Sequence, residues 1–368
     1  MLENPLPNET QAYSQANAPR TNKNTSRTTY NILAIKSGFL NISASAPTKI
    51  IIAGEHSVVH GGTAIATPLE VRNYVTVETV EEKKVEIKES VLRGFDEATN
   101  EKMSQALGAE FAFVNPSKGV LFDRKYSEMP KGCGNSASIA AAFALCLYAI
   151  DGRTPSSEEM FNAIQEFDKV MHVNPSGIDA KTVSSGSALV MKKEWAQDGS
   201  VKFDFKYQQL VLPEGTVLLI IDRRGLGEKE MTTAELVTLY SQTTVGKKPN
   251  EVTPEERQKI ITPFEPVVKA IIEQLHENGD AKKLGELFVL NNSLLSRGGV
   301  IPESMMNTVK DCIQAGCIGA KGTGACGPGG GVIALAWEKD VPQIKQTLES
   351  KKLKVSPAKF ATQGPRLE

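Results

Sequence analysis

Eight of the 30 glycines in this chain fall between Gly316 and Gly331. Glycine loses more backbone freedom on folding than any other residue, so such a density belongs where the backbone adopts conformations, or makes approaches, that side chains would block. The stretch carries Thr323 and runs directly into the apolar pattern VIALAW, which reads as a buried strand rather than a linker. A loop wrapped closely around a ligand accounts for this better than a flexible turn. Any fold for the chain must therefore place a glycine loop against the end of a core strand.

The 368 residues give room for about two domains of ordinary size. Lys and Arg number 42 against 43 Asp and Glu, for a net charge of −1, so no electrostatic footprint for nucleic acid or an anionic membrane is present. Five cysteines without C-x-x-C spacing and four scattered histidines support neither a disulfide framework nor a structural zinc site. No apolar run reaches the roughly 18–20 residues of a membrane span. Residues 1–29 are polar, rich in Asn, Thr and Ser, and read as a disordered tail without a signal sequence. A cytoplasmic protein is expected.

From Asn31 the pattern becomes regular. ILAIKSGFLNISASAPTKIIIA predicts two strands with a turn around Ala46-Pro47, and RNYVTVETVEEKKVEIKESV predicts a hairpin half-exposed to water. IAAAFALCLYAIDG predicts a buried helix closed by Gly152, and SSEEMFNAIQEFDKVM a helix capped by Ser156 or Ser157. GSALVMKKE and TVLLIID read as strands. Past Arg224 the chain is mostly helical, with TAELVTLYSQTTV, EERQKIITPFEPVVKAIIEQL, AKKLGELFVLNNSLLSR and PESMMNTVKDCIQ preceding the glycine-rich strands. The switch near Arg224 is the expected domain boundary, giving 30–224 and 225–368, with the last strand returning to the first domain.

Three further segments carry chemistry. Lys49-Ile-Ile-Ile-Ala-Gly54-Glu55-His56 is a strand ending in an acid and a histidine. Gly132-Cys-Gly134-Asn135-Ser136-Ala137-Ser138 leads straight into a helix, and a helix N-terminus fronted by glycines makes a phosphate cradle. It lacks the Lys of a Walker A loop. It also matches G-x-G-x-x-A, but Met129-Pro130 breaks the strand that a dinucleotide site needs. Asn174-Pro175-Ser176-Gly177-Ile178-Asp179, preceded by Asp168, is either a solvated loop or an acid pair for a metal and a base.

In this order the segments closely resemble the three motifs of the GHMP kinase superfamily, and GEHSVVHG with NPSGID is most similar to its mevalonate kinase family. The resemblance runs from about Ala46 onward. Asn135 departs from the second motif, and Cys326, Pro328 and Gly330 depart from the third. The resemblance implies an α+β fold: an N-terminal ribosomal-protein-S5-like α/β domain and a C-terminal ferredoxin-like α+β domain, with the site in the cleft between them. It implies transfer of the γ-phosphoryl of ATP, with Mg²⁺, to the 5-hydroxyl of mevalonate in isoprenoid and sterol precursor synthesis. A homodimer is compatible with the family.

By the same resemblance Lys49 and Asp179 are catalytic, and Glu55, His56, Thr232 and Thr233 lie on the substrate side. Gly132, Gly134, Asn135, Ser136, Ala137, Ser138, Thr323 and Gly324 bind ATP. Ser136 and Asp168 hold Mg²⁺, with Glu166 the competing acid. Phosphoryl transfer asks for charge neutralisation and in-line positioning more than covalent chemistry. Lys49 and Asp179 answer the need for an ammonium and a proton acceptor beside a weakly nucleophilic alcohol. Other acceptors of the superfamily, namely phosphomevalonate, homoserine and sugars, stay open, as does a nucleotide-binding homologue without turnover. The paired arginines Arg223 and Arg224 read as solvated.

Overall fold

The apolar pattern that opens at Asn41 runs unbroken to Ala53 as strand β1 (Asn41–Ala53), and β2 (Thr63–Val80) returns antiparallel beside it. The turn expected at Ala46-Pro47 does not form. Proline has no N–H for the ladder, and the strand absorbs it in a register shift between Pro47 and Thr48 without reversing direction. The computed structural model describes residues 40–80, 85–87, 119–125, 127, 129–130, 132–171, 176–195, 201–229 and 231–368. All of them lie in one compact unit, Ile35–Glu368. The expected disordered tail lies outside the described residues.

Beyond β2 the sheet continues through β4 (Gly119–Lys125), antiparallel to β2, and β3 (Val85–Ile87), parallel to β4. The expected hairpin between β2 and the VEI segment is therefore not made: β4 takes the edge of β2 from Tyr74 to Val80 and leaves β3 on its far side. Alternation fixes which face of a strand is buried but not which strand lies next to it. On its other edge β1 receives β11 (Arg366–Leu367), while β5 (Leu189–Trp195) pairs with the start of β2 and β6 (Val201–Tyr207) pairs with β5. Three helices follow the chain here, α1 (Asn135–Ile150), α2 (Ser157–Met171) and α3 (Ile178–Ser185). Ala140, Ala141, Ala142 and Phe143 of α1 form one core with Ala44, Ala46, Val75 and Val77 of the sheet, small side chains letting the helix settle closely on the strands.

The second sheet has the order β10-β7-β9-β8, built from β7 (Thr216–Asp222), β8 (Gly319–Gly322), β9 (Val332–Trp337) and β10 (Lys354–Ala358). β7 precedes Arg224 in the chain yet lies in this sheet. β10 reads KVSPA and carries no strand signal, and its Pro357 is tolerated because β10 is an edge strand.

Six more helices complete the unit: α4 (Thr233–Val245), α5 (Pro254–Ile261), α6 (Glu265–Gln274), α7 (Ala281–Arg297), α8 (Glu303–Gln314) and α9 (Val341–Glu349). The single helical run expected over EERQ to EQL is split into α5 and α6, with Pro266 in the first turn of α6, where its missing N–H costs nothing. Gly285 of α7 faces β8 so closely that a Cβ there would lie 2.5 Å from the Ile318 carbonyl oxygen. Helix and strand meet backbone to backbone, which fixes where the loop after β8 begins. Among the described residues no helix is long and apolar enough to cross a membrane.

Candidate active site

β1 delivers Lys49 into the interior with 2% of its side chain exposed, and its Nζ pairs with Asp179 Oδ1 at 2.8 Å. The same ammonium donates to the Gly132 carbonyl at 3.3 Å, and the Lys49 backbone N–H donates to the Cys133 carbonyl at 3.0 Å. One residue thus joins the strand, the glycine loop before α1 and the acid. Asp179 lies in the first turn of α3, where the helix dipole suits a carboxylate. It keeps 26% exposure, so the acid, not the lysine, is the open end of the pair. The preceding His172 to Pro175 lie outside the described residues.

Gly134, at φ +68, stands just before α1 and its conformation favours glycine. A Cβ at Gly134 would also lie 2.7 Å from Lys49 Cγ, so the glycine vacates the space the lysine crosses. Ser136 opens the helix behind it and donates to Asp168 Oδ1 at 3.4 Å. Asp168 is 2% exposed and forms no ion pair among the described residues. Burial first, and then the negative charge of Asp179, push its carboxyl up to about 8. Glu166, the competing acid, lies on the exposed face of α2.

The Ser136 hydroxyl at the N-terminus of α1 and the Asp168 side chain beside it form an oxygen donor pair suited to a hard divalent cation. Among the described residues no group of three or more His, Cys, Asp or Glu clusters as a metal site. Two protein oxygens would leave room for other oxygen ligands on such a cation.

The loop after β8 closes over the same region. A Cβ at Gly324 would lie 3.1 Å from the Gly132 Cα, so the two glycine loops meet with no side chain between them. Thr323 Oγ1 donates to the Ile51 carbonyl at 2.8 Å, and Lys321, fully buried, pairs with Glu55. Burial raises the Glu55 carboxyl, and the Lys321 charge works against it. His56 Nε2 donates to the Ala325 carbonyl at 3.1 Å, which leaves Nδ1 as the unprotonated nitrogen. Its ring stacks on Tyr240 of α4, with centroids 4.8 Å apart.

The chain therefore brings together Lys49, Asp179, Ser136, Asp168, Gly132, Gly134, Thr323 and Gly324. Glu55 and His56 are buried beneath the third glycine loop, where they hold Lys321 and Ala325. Asn135 turns its side chain away from the helix entrance, donating to the Met129 carbonyl and accepting from Asn73 and Ser127. Ala137 and Ser138 are buried in the first turn, Ser138 bonded to the Ala46 carbonyl at 2.8 Å. Thr232 caps α4 and its hydroxyl is engaged with Glu235, with Thr233 the first residue of the helix.

Arg223 was expected to be solvated and is instead fully buried. Four groups of the surrounding chain compensate its charge and donors, and an isolated Arg-Arg pair in the sequence carries no trace of such distant partners.

Residues 264–354 match the family model described as GHMP kinases C terminal. The mevalonate kinase of Aeropyrum pernix is 28% identical over 342 residues, covering 88% of this chain and 98% of that one. The mevalonate kinase of Pyrococcus horikoshii is also 28% identical, over 80% of this chain and 88% of its own length. Among solved structures, the L. major mevalonate kinase in complex with R-mevalonate superposes with a TM-score of 0.71 at 21% identity, covering 87% of this chain and 96% of that one. At that identity the likeness is one of fold.

Proposed function

The chain is a member of the GHMP kinase superfamily, most like its mevalonate kinases, and from that premise we propose that it transfers the γ-phosphoryl of ATP to the 5-hydroxyl of mevalonate. The observation that carries the reading is the Lys49–Asp179 pair at 2.8 Å, set directly beside the glycine loop and helix start that bear Ser136. In the forward step the substrate oxygen forms a bond to the γ-phosphorus as the bond to the β-phosphate oxygen breaks, releasing ADP. Asp179, the exposed member of the pair, takes the hydroxyl proton. Lys49 lies between the acid and the Gly132 carbonyl, so its charge stabilises negative charge as it grows on the attacking oxygen.

Backbone N–H groups of the first turn of α1 hold phosphate oxygens, a role that needs no net positive surface. Ser136 and Asp168 would hold Mg²⁺, which when bound neutralises charge on the β- and γ-phosphates. The exposed position of Glu166 supports Asp168 as the ligand. Thr323 and Gly324, pressed against Gly132, close the nucleotide side and exclude water. Glu55 and His56 support the substrate side, with Thr232 and Thr233 at the start of α4. A cytoplasmic enzyme and a homodimer are part of the same reading.

The direct test is ADP release with Mg-ATP against mevalonate, phosphomevalonate, homoserine and galactose. Turnover with mevalonate at least about tenfold above each alternative is expected, a discrimination of about 1.4 kcal/mol. Turnover of another acceptor as fast as or faster than that of mevalonate, or none at all with nucleotide binding intact, refutes the assignment.

A further inference from the structure

Among the described residues the largest fully buried side chain is Arg223, immediately after β7. Its guanidinium reaches four partners. Nε donates to Thr308 Oγ1 at 3.1 Å, Nη1 to the Gly330 carbonyl at 3.2 Å, and Nη2 to Glu228 Oε2 and Ser304 Oγ at 2.8 Å each. Glu228 Oε2 in turn accepts the Gly329 N–H at 3.0 Å, and Glu228 Oε1 accepts from Ser304. The third glycine loop is thus gripped from behind at two successive residues, one through its carbonyl and one through its amide. The far end of that loop lies against the phosphate loop at Gly132.

A charge taken fully out of water costs several kcal/mol unless it is paired and hydrogen-bonded throughout. A hydrophobic residue at position 223 would avoid that cost, so stability alone is a weak account of an arginine there. Glycines 327, 329, 330 and 331 also leave the loop intrinsically unconstrained. Its geometry has to come from outside. Of the three departures from the third motif, Gly330 is held directly by Arg223, and Pro328 adjoins Gly329, which Glu228 holds.

We infer that Arg223 and Glu228 form a positioning clamp that fixes the third glycine loop against the phosphate loop, and so sets how productively the nucleotide is held. The clamp also links the nucleotide side to the segment leading to Thr232 at the start of α4. The inference rests on the kinase reading above, but its mechanical part can be tested without it.

Three variants serve: Arg223→Lys, which keeps the charge but not the forked geometry, Glu228→Gln, and the two together. Glu228 is partly exposed at the rim of the network, so its variant keeps the fold even if an arginine replacement does not. Amide hydrogen exchange at residues 324–331 should quicken about tenfold or more in Glu228→Gln, with residues 137–147 of α1 unchanged. The KM for ATP or kcat should worsen about tenfold while the KM for mevalonate stays within about threefold, and the double variant should be no worse than the poorer single one. Unchanged exchange at 324–331, additive losses, or lowered thermal stability with kinetics within about twofold of wild type would overturn the clamp. If wild-type enzyme turns over no acceptor, the kinase reading fails, and the exchange measurement with the affinity for ADP still decides the clamp.

Discussion

Lys49 is almost wholly enclosed and Asp179 is not, and the proposed mechanism divides their tasks along this asymmetry. A buried ammonium held between a carboxylate and a carbonyl is fixed in place, and a fixed charge stabilises a developing one without reorganising. The carboxylate at the open end is the group a substrate hydroxyl can reach. Asp179→Asn keeps shape and hydrogen-bonding capacity but cannot accept the proton. It should lower kcat by about 10²–10⁴-fold with KM for the acceptor nearly unchanged. A variant within about threefold of wild type in steady-state kinetics would remove Asp179 as the base. Replacement at this position also leaves Lys49 buried without its anion, so thermal stability should be measured alongside to separate folding from chemistry.

At the scale of elements, the helices with a wide apolar face and the strand TVLLIID were readable because periodicity and burial agree in them. What escaped has a physical reason in each case. β10 is too short and contains a proline, and α3 (IDAKTVSS) is a polar eight-residue helix with no apolar stripe. The neighbour of β2 was misjudged because partner choice depends on residues far away in sequence. The pairing furthest apart in sequence is that of β11, the returning last strand that the sequence leads one to expect: its two residues hold the outer edge of β1 by pairing Ala44 with Leu367 and Ser45 with Arg366. Arg72 donates to the Gly364 carbonyl at 2.7 Å, and the Glu368 N–H donates to the Ser43 carbonyl at 2.9 Å. Removing residues 362–368 should cost roughly 3–5 kcal/mol for these charge-assisted and ladder bonds, read as a lower urea midpoint. The Lys49–Asp179 geometry lies at the other end of β1, so turnover at low temperature should persist. A truncation without effect on the midpoint would show that β11 is dispensable.

For the whole molecule, Lys49, Ser136 and Asp179 were legible because each belongs to a short local motif, whereas the place of Asp168 comes from the family resemblance. The supports of the site were not legible. Arg223, Glu228 and Tyr240 act through partners scattered along the chain, and no local pattern announces them. A global property follows from two of the buried histidines. Burial lowers His56 to about 4, and burial with the nearby charges of Lys193 and Arg257 lowers His60 to about 4, against about 6.5 in an unfolded chain. Above that value both states are neutral and nothing is gained. Between pH 6.5 and 4 the unfolded chain takes up protons that the native one refuses, so stability falls as the pH falls, by of order 3 kcal/mol per histidine at the lower limit. Urea midpoints measured across that window should drop with pH, and His60→Gln should flatten the slope; an unchanged slope would mean that His60 is not held neutral.

The pairing of the first strand with the last has a consequence for synthesis. Ser45 and its partner Glu368 are 323 residues apart, so on a ribosome β1 emerges long before β11, the strand that pairs with its outer edge. During that interval the backbone groups that β11 will pair lack that partner, and an unpaired edge invites pairing with other strands. The arrival of β11 then acts as the latch, and the yield of folded protein should depend more on what shields that edge during elongation than on the stability of the finished molecule.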